Sequence, residues 1–203
     1  MARALVVVGS GGHAKVVIAT AEAAGFVVAA VVDDDPARWG QRVLGVEVTG
    51  PSAPVLDDPA QLAVLAIGAN RARQARAHAA RASFATVIHP SAIIHPSVRI
   101  GAGTVVFAGA VIQPEAVLGR HVIVNTGASV DHDCALGDFV HIAPGVRLAG
   151  GVALGDGAML GIASAAIPGA RVGAWSIVGA GATVIDDIAP DVVAIGAPAR
   201  PRR

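Results

Sequence analysis

The sequence predicts two joined domains: a small parallel α/β domain over residues 1–85, then an all-β prism over residues 86–203. Three observations carry this. Stepping by six from Ile88 to Val184 visits seventeen positions, of which sixteen are Ile, Val or Leu and the exception is Ala166. The seventeen positions three residues further on, from Ser91 to Asp187, contain none of these residues. Ahead of the repeat, short apolar runs alternate with Ala-rich segments and Gly turns, the pattern of strands and helices in a parallel sheet. A period of six is neither helical nor that of a simple strand. It marks a repeat in which each sixth residue enters one continuous core.

The elements follow in order. Ala4–Val8 is an apolar run fit for a buried parallel strand. Gly9-Ser10-Gly11-Gly12-His13-Ala14-Lys15 then turns the chain into a helix over Val16–Ala24, closed by Gly25. Phe26–Val32 is a second strand ending in Asp33-Asp34-Asp35-Pro36, Val43–Val48 a short third strand, and Pro51–Pro59 a loop. Leu62–Ile67 is a further strand, and Gly68-Ala69-Asn70 leads into a helix over Arg71–Ala82. From Ile88 each hexad is a short strand with a corner. The residue four after each large aliphatic is small and points inward with the next one, because alternate side chains of an extended segment share a face. Cys134 occupies such a position and reads as a core thiol. The Gly residues at the second and fourth positions suit tight corners.

Composition narrows the function. Fifteen basic and fifteen acidic residues cancel, which gives no bulk electrostatic case for nucleic acid or an anionic membrane. One Cys excludes an intrachain disulfide and a Cys zinc cluster. The apolar N-terminal run is too short for a signal segment or a membrane span, so a cytoplasmic location is expected.

Two clusters carry chemistry. The glycine turn follows a strand and opens a helix, so its backbone N–H groups and the helix dipole can face a phosphate. Gly9 to Ala14 also fits the G-x-G-x-x-G/A dinucleotide fingerprint, with Asp33 ending the second strand. About 85 residues are too few for a full dinucleotide domain, so the reading is a site for one nucleotide diphosphate, with Asp33 and Asp34 toward a sugar or base. On the prism, Asn125, His132, Asp133 and His141 all avoid inward positions. His141 lies between inward-pointing Val140 and Ile142 and so points outward, while His132 and Asp133 fall at a corner. His89 and His121 read as surface residues.

The hexads resemble those of the hexapeptide-repeat acyltransferases. That resemblance implies three hexads to a triangular coil, stacked as a left-handed parallel β-helix. The Gly9–Lys15 turn, the Asp33–Asp34 pair, the Ile67-Gly68-x-Asn70-x-x-Arg73 segment and the prism together resemble one subfamily, over almost the whole chain. These are the bacterial sugar acyltransferases similar to sialic acid O-acetyltransferase and to UDP-4-amino-sugar N-acetyltransferase. The resemblance implies a Rossmann-like N-terminal domain holding a nucleotide-linked amino sugar through Gly9, Ser10, Gly11, Gly12, His13, Asp33, Asp34, Gly68, Asn70 and Arg73. It implies acetyl-CoA as cosubstrate, bound between subunits of a homotrimer near Asn125, His141, Gly150 and Gly161, with no metal. It makes His132 the catalytic base and Asp133 its acidic partner. The tail Gly196-Ala197-Pro198-Ala199-Arg200 is similar to one that lies near the coenzyme in this family, and leaves open whether Arg202 and Arg203 fray.

N-acetylation of an amino sugar is the expected activity, with O-acetylation of a sialic-acid-like sugar as the alternative that these residues do not separate. A γ-type zinc carbonic anhydrase needs three clustered His, and the spacings 132 − 121 = 11 and 141 − 132 = 9 lack its close pair. A non-catalytic trimer that only binds a sugar nucleotide remains a further alternative.

Overall fold

The apolar run at the N-terminus becomes the middle of a parallel sheet. In the computed structural model, which describes residues 3–202, Leu5, Val6, Val7 and Val8 of β1 (Arg3–Val8) are buried. The chain divides into two units, Met1–Pro90 and Ser91–Arg203; Arg203, the last residue of the tail, lies outside the described residues.

In the first unit β1 is flanked by β2 (Phe26–Val32) and, on its other side, by a strand at Leu62–Leu65. The helix α1 (Gly12–Ala23) connects β1 to β2 and starts at the glycine turn itself, four residues ahead of the expected Val16. Gly11 caps it in an extended conformation and the Ala14 amide closes on the Gly11 carbonyl at 3.0 Å, so the turn is the first turn of the helix. Ala14, Val17, Ile18 and Ala21 form its buried stripe. The single strand expected at Val43–Val48 is instead a hairpin, β3 (Arg42–Val43) with β4 (Val46–Glu47) antiparallel. Leu44 and Gly45 both have positive φ, the two-residue turn that fits a tight hairpin; sequence reasoning passed over it because Leu seldom adopts that conformation. Within the expected loop lies a short helix, α2 (Ala53–Leu56). Then come β5 (Leu62–Leu65), α3 (Asn70–Ala79) and β6 (Ser83–Phe84), and the sheet order is β2-β1-β5-β6. The chain therefore leaves β1 for one side and later returns to the other, which opens a crevice at the carboxyl end of the strands.

The second unit is the prism, a left-handed parallel β-helix. From Ile93–Ile94 to Thr183–Val184 the strands are two residues long, and each ends on a hexad aliphatic. They stack in parallel onto three walls, and Val105 lies opposite Ile123, which lies opposite His141, so one coil is 18 residues or three hexads. The first wall contains Ile123–Val124, His141–Ile142 and Met159–Leu160, the second Ser129–Val130 and Arg147–Leu148, the third Ala135–Leu136 and Ala153–Leu154. Val106, Ile112, Val124, Val130, Ile142, Leu160 and Val178 are buried inside. Cys134 is buried as expected, its Sγ 3.2 Å from the Ala149 carbonyl, and burial raises its thiol pKa.

Corners use the fourth hexad position in the left-handed region. Gly103, Gly127 and Gly151 adopt it without cost, while Asp133 (φ 58) and His121 (φ 54) adopt it as non-glycines. His121 is not a surface residue: it is 1% exposed and its ring stacks on Phe139, one coil on, at 5.3 Å between centroids. The imidazole is amphipathic, and the left-handed corner turns it back against the prism. After the last hexad Val193–Ile195 extends the first wall in parallel and Arg200–Pro201 returns antiparallel. Arg200 pairs with Asp186 at 2.8 Å, and the Arg202 amide donates to the Val193 carbonyl at 2.7 Å, which ties down the tail as far as Arg202. Among the described residues no helix is long and apolar enough to cross a membrane.

Candidate functional site

The first site lies at the carboxyl end of the N-terminal sheet. Val8, Gly9, Asp33, Asp34, Ser52, Ile67, Ala72 and Arg76 line a cavity of about 240 Å³. Gly9 is left-handed (φ 104), its amide donates to the Val32 carbonyl, and a Cβ there would press on the Ala66 carbonyl. Gly11, Gly12 and Gly68 differ. None has a positive φ, and a Cβ at any of them would meet nothing within 4 Å. Their missing side chains leave open space beside a helix N-terminus, which suits the approach of a ligand to the backbone.

Asp33 acts first on the protein itself. Its Oδ2 accepts from the amide and the hydroxyl of Ser10, each at 2.7 Å, and its Oδ1 accepts from the Asp35 amide at 3.0 Å. Burial pushes its pKa up, but these hydrogen bonds and nearby Arg38 outweigh it, and the net pKa is below the usual value. Asp34 accepts from the Ser52 amide and hydroxyl, both at 2.8 Å, and pairs with Arg76. Arg76 and Ser52 were missed in the sequence. Arg76 lies on the outer face of α3 with no motif around it, and only the α2 loop brings Ser52 to the acidic pair.

Arg73 is placed otherwise than a ligand contact would be. It is 1% exposed, and its guanidinium donates to the Ile67 and Gly68 carbonyls at 2.9 and 3.3 Å and to Asn70 Oδ1 at 3.0 Å. It braces the loop that carries Ile67, Gly68 and Asn70. Burial lowers its pKa to about 10, which keeps it charged at neutral pH. His13, on the first turn of α1, is largely covered; burial and then Arg73 lower its pKa to about 4, so it is neutral at pH 7.

The second site is on the prism, and it comes in two halves. At the corner between the second and third walls, His132 Nδ1 lies 2.8 Å from Asp133 Oδ2, with both side chains well exposed. The left-handed φ of Asp133 folds its carboxylate back onto the preceding residue. That hydrogen bond, and the charges of Asp131 and Asp133, raise the His132 pKa above its ordinary value, against a smaller opposing desolvation. The ring also lies against Gly150 one coil on, whose Cβ position it fills. Asn125 and His141 form the other half, where the first wall meets the second. Asn125 Nδ2 is 3.5 Å from His141 Nε2. His141 points away from the core as strand alternation requires, yet it is only 9% exposed. The second wall separates the two halves within one chain. Gly161 is committed to the stack: its amide donates to the Val178 carbonyl at 2.7 Å, and a Cβ would lie 2.6 Å from the Ala180 nitrogen. An apolar groove of about 690 Å³ on the third wall, from Val117 over Ala135 and Ala153 to Arg171, contains none of these residues. Among the described residues no cluster of His, Cys, Asp or Glu could hold a metal ion.

Comparison with known proteins bears on both sites. Residues 4–80 match the PglD N-terminal domain family. The chain is 45% identical to a mutant of perosamine N-acetyltransferase from Caulobacter crescentus, solved in complex with CoA and GDP-perosamine. That match covers 98% of this chain and 97% of the other, with a TM-score of 0.92. It is 38% identical to the acetyltransferase domain of PglB from Neisseria gonorrhoeae in complex with acetyl coenzyme A, over 100% of both chains, with a TM-score of 0.91. WeeI from Acinetobacter baumannii, at 23% identity, 98% and 100% coverage and a TM-score of 0.85, shares the fold. Among curated proteins none matches.

Proposed function

We propose, for a chain that belongs to the hexapeptide-repeat sugar acyltransferases, that His132 is the general base of its reaction. The protein is an acetyl-CoA-dependent N-acetyltransferase of a nucleotide-linked amino sugar. The observation that carries the assignment of the base is the 2.8 Å His132 Nδ1–Asp133 Oδ2 contact at an exposed corner.

Acetyl-CoA supplies the thioester. The acceptor amine attacks its carbonyl carbon and loses a proton to Nε2 of His132. Asp133 accepts from Nδ1–H and stabilises the imidazolium. Collapse of the tetrahedral intermediate breaks the C–S bond, and the CoA sulfur leaves with the proton that the imidazolium returns. An acyl-enzyme is not needed: Cys134 is buried in the core and burial holds it as a thiol. Asn125 and His141 bind the acetyl end of the coenzyme, or its oxyanion, by hydrogen bonding.

The N-terminal pocket takes the nucleotide. Gly11 and Gly12 present backbone N–H groups to the diphosphate, and Asp33 holds Ser10 in place beside them. Asp34 offers an acceptor and Arg76 a donor side by side, which matches a nucleobase edge with N–H next to C=O. Arg73 and neutral His13 shape this site from beneath.

The separation of the two prism halves supports a homotrimer in which His132 of one chain faces Asn125 and His141 of the next. Exposed Ile93, Ile162 and Ile167 supply apolar surface for such contacts. A solution mass of three chains is expected, and a fully active monomer would overturn it. The activity is tested by incubating the enzyme and acetyl-CoA with a panel of nucleotide amino sugars and following CoA release. The expected product carries one acetyl group on nitrogen; acetylation on oxygen alone would replace this reading with the O-acetyltransferase.

A further inference from the structure

From Gly101 to Gly181 every glycine of the prism stands at the second or fourth hexad position, with one exception. Fourth-position glycines such as Gly103, Gly127 and Gly151 adopt positive φ. Second-position glycines such as Gly101, Gly155 and Gly161 have the backbone of the next coil where a Cβ would go. Gly150 is at the third position. The other sixteen third positions, from Pro90 to Asp186, all carry a Cβ. Gly150 has no positive φ, and no backbone atom is among the three nearest neighbours of the Cβ it lacks. Those neighbours are Cε1, Nε2 and Nδ1 of His132, with Nε2 at 2.5 Å and Nδ1 at 3.1 Å.

The separation 150 − 132 = 18 is one coil, as in the pairing of Val130 with Leu148 beside it. The imidazole therefore lies along the stacking direction, in the seat that a side chain would otherwise take. Elsewhere His121 fills the Cβ position of Gly103 and Trp175 that of Gly157, but those glycines are also required by φ +77 and +66. At Gly150 no positive φ applies, and the ring supplies all three of the nearest atoms. The side chain of His132 is 61% exposed, so apart from its hydrogen bond to Asp133 little else restrains it. Such a side chain would otherwise exchange among staggered rotamers. Resting on the reading of His132 as the base, we propose that Gly150 is a positioning residue: its missing Cβ seats the imidazole, with Nδ1 on Asp133 and Nε2 held ready for the acceptor amine.

The test is Gly150→Ala, alone and combined with His132→Ala. The Cβ evicts the ring, and misplacement of a catalytic group by about 1 Å costs on the order of 10²-fold. The expected loss is in kcat, with the KM for acetyl-CoA unchanged. A rise in that KM with kcat intact would mean that Gly150 serves the coenzyme instead, and would overturn the proposal. A second readout needs no turnover. Histidine-ring NMR should show the His132 pKa falling toward its ordinary value in Gly150→Ala, because the ring leaves Asp133; an unchanged titration would also overturn it. In the His132→Ala background Gly150→Ala should cost nothing further, and an equal loss there would show an effect independent of the ring. If Gly150→Ala melts early, the double variant decides: recovery of wild-type melting identifies the ring as the obstacle, and no recovery identifies the backbone and sinks the idea. Wild-type enzyme that fails to N-acetylate would instead count against the functional reading, and leaves the NMR result standing.

Discussion

Replacing Asp33 with Ala should separate nucleotide binding from chemistry. The carboxylate takes three hydrogen bonds, two of them from Ser10 inside the glycine turn. A hydrogen bond to a charged group contributes about 1.5–3 kcal/mol. Water can reach the exposed Asp35 amide and the Ser10 hydroxyl can rotate to another acceptor, so the uncompensated loss is about one such bond, that of the buried Ser10 amide. Each 1.4 kcal/mol is about tenfold in affinity, so the acceptor KM should rise about 10- to 100-fold. The proposed acetyl-CoA site is on the other unit, so the KM for acetyl-CoA should stay where it is. Steady-state kinetics with release of the CoA thiol, varying each substrate in turn, gives both constants. Equal rises in the two KM values would refute the reasoning, because the turn would then be a structural element whose loss disturbs the whole chain. An unchanged acceptor KM would refute it from the other side.

Other perturbations test other parts. Asp133→Asn removes the group that raises the His132 pKa, so the acid limb of kcat/KM should move to lower pH and kcat should fall less than on loss of the ring; a pH–rate profile checks both. His13 has its folded pKa lowered from 6.5 to about 4, so below pH 6.5 the unfolded chain binds a proton that the folded chain refuses. Stability conferred above that pH is lost as pH falls from 6.5 to about 4, by up to about 3 kcal/mol, and His13→Asn should flatten the melting temperature over that window. Gly161→Ala should lower the melting temperature, at a cost of about 1–3 kcal/mol for a methyl forced against the backbone of the next coil. A normal melt with a raised acetyl-CoA KM would return Gly161 to the coenzyme.

The prism was legible because its core obeys a local rule. A two-residue strand ending on every sixth residue follows from the aliphatic lattice, and Ile88 to Val184 spell it out. The outward direction of His141 followed from the same rule. Its burial did not, because alternation says which way a side chain points and nothing about what covers it. His121 reads as a surface residue in the sequence and is buried for a related reason: its ring is folded back by a left-handed corner and stacked on Phe139, a residue 18 positions on. In the N-terminal unit the glycine turn and Asp33 stood out as a motif, but the link between Ser10 and Asp33 depends on β1 and β2 lying side by side. Arg73 was legible as a member of the Ile67–Arg73 segment, whereas its role as a buried brace depends on which way α3 faces. Arg76, three residues on, meets Asp34 for the same reason.

The proposed reaction depends above all on its base. With the nucleotide amino sugar identified, kcat and both KM values for His132→Ala should be compared with wild type at the pH optimum, on protein whose melting is unchanged. Loss of positioned acid–base help should lower kcat by about 10²–10⁴ and leave both KM values nearly unaltered. A variant that kept more than about a third of wild-type kcat would contradict that range, and the proton would have to leave the amine by another route.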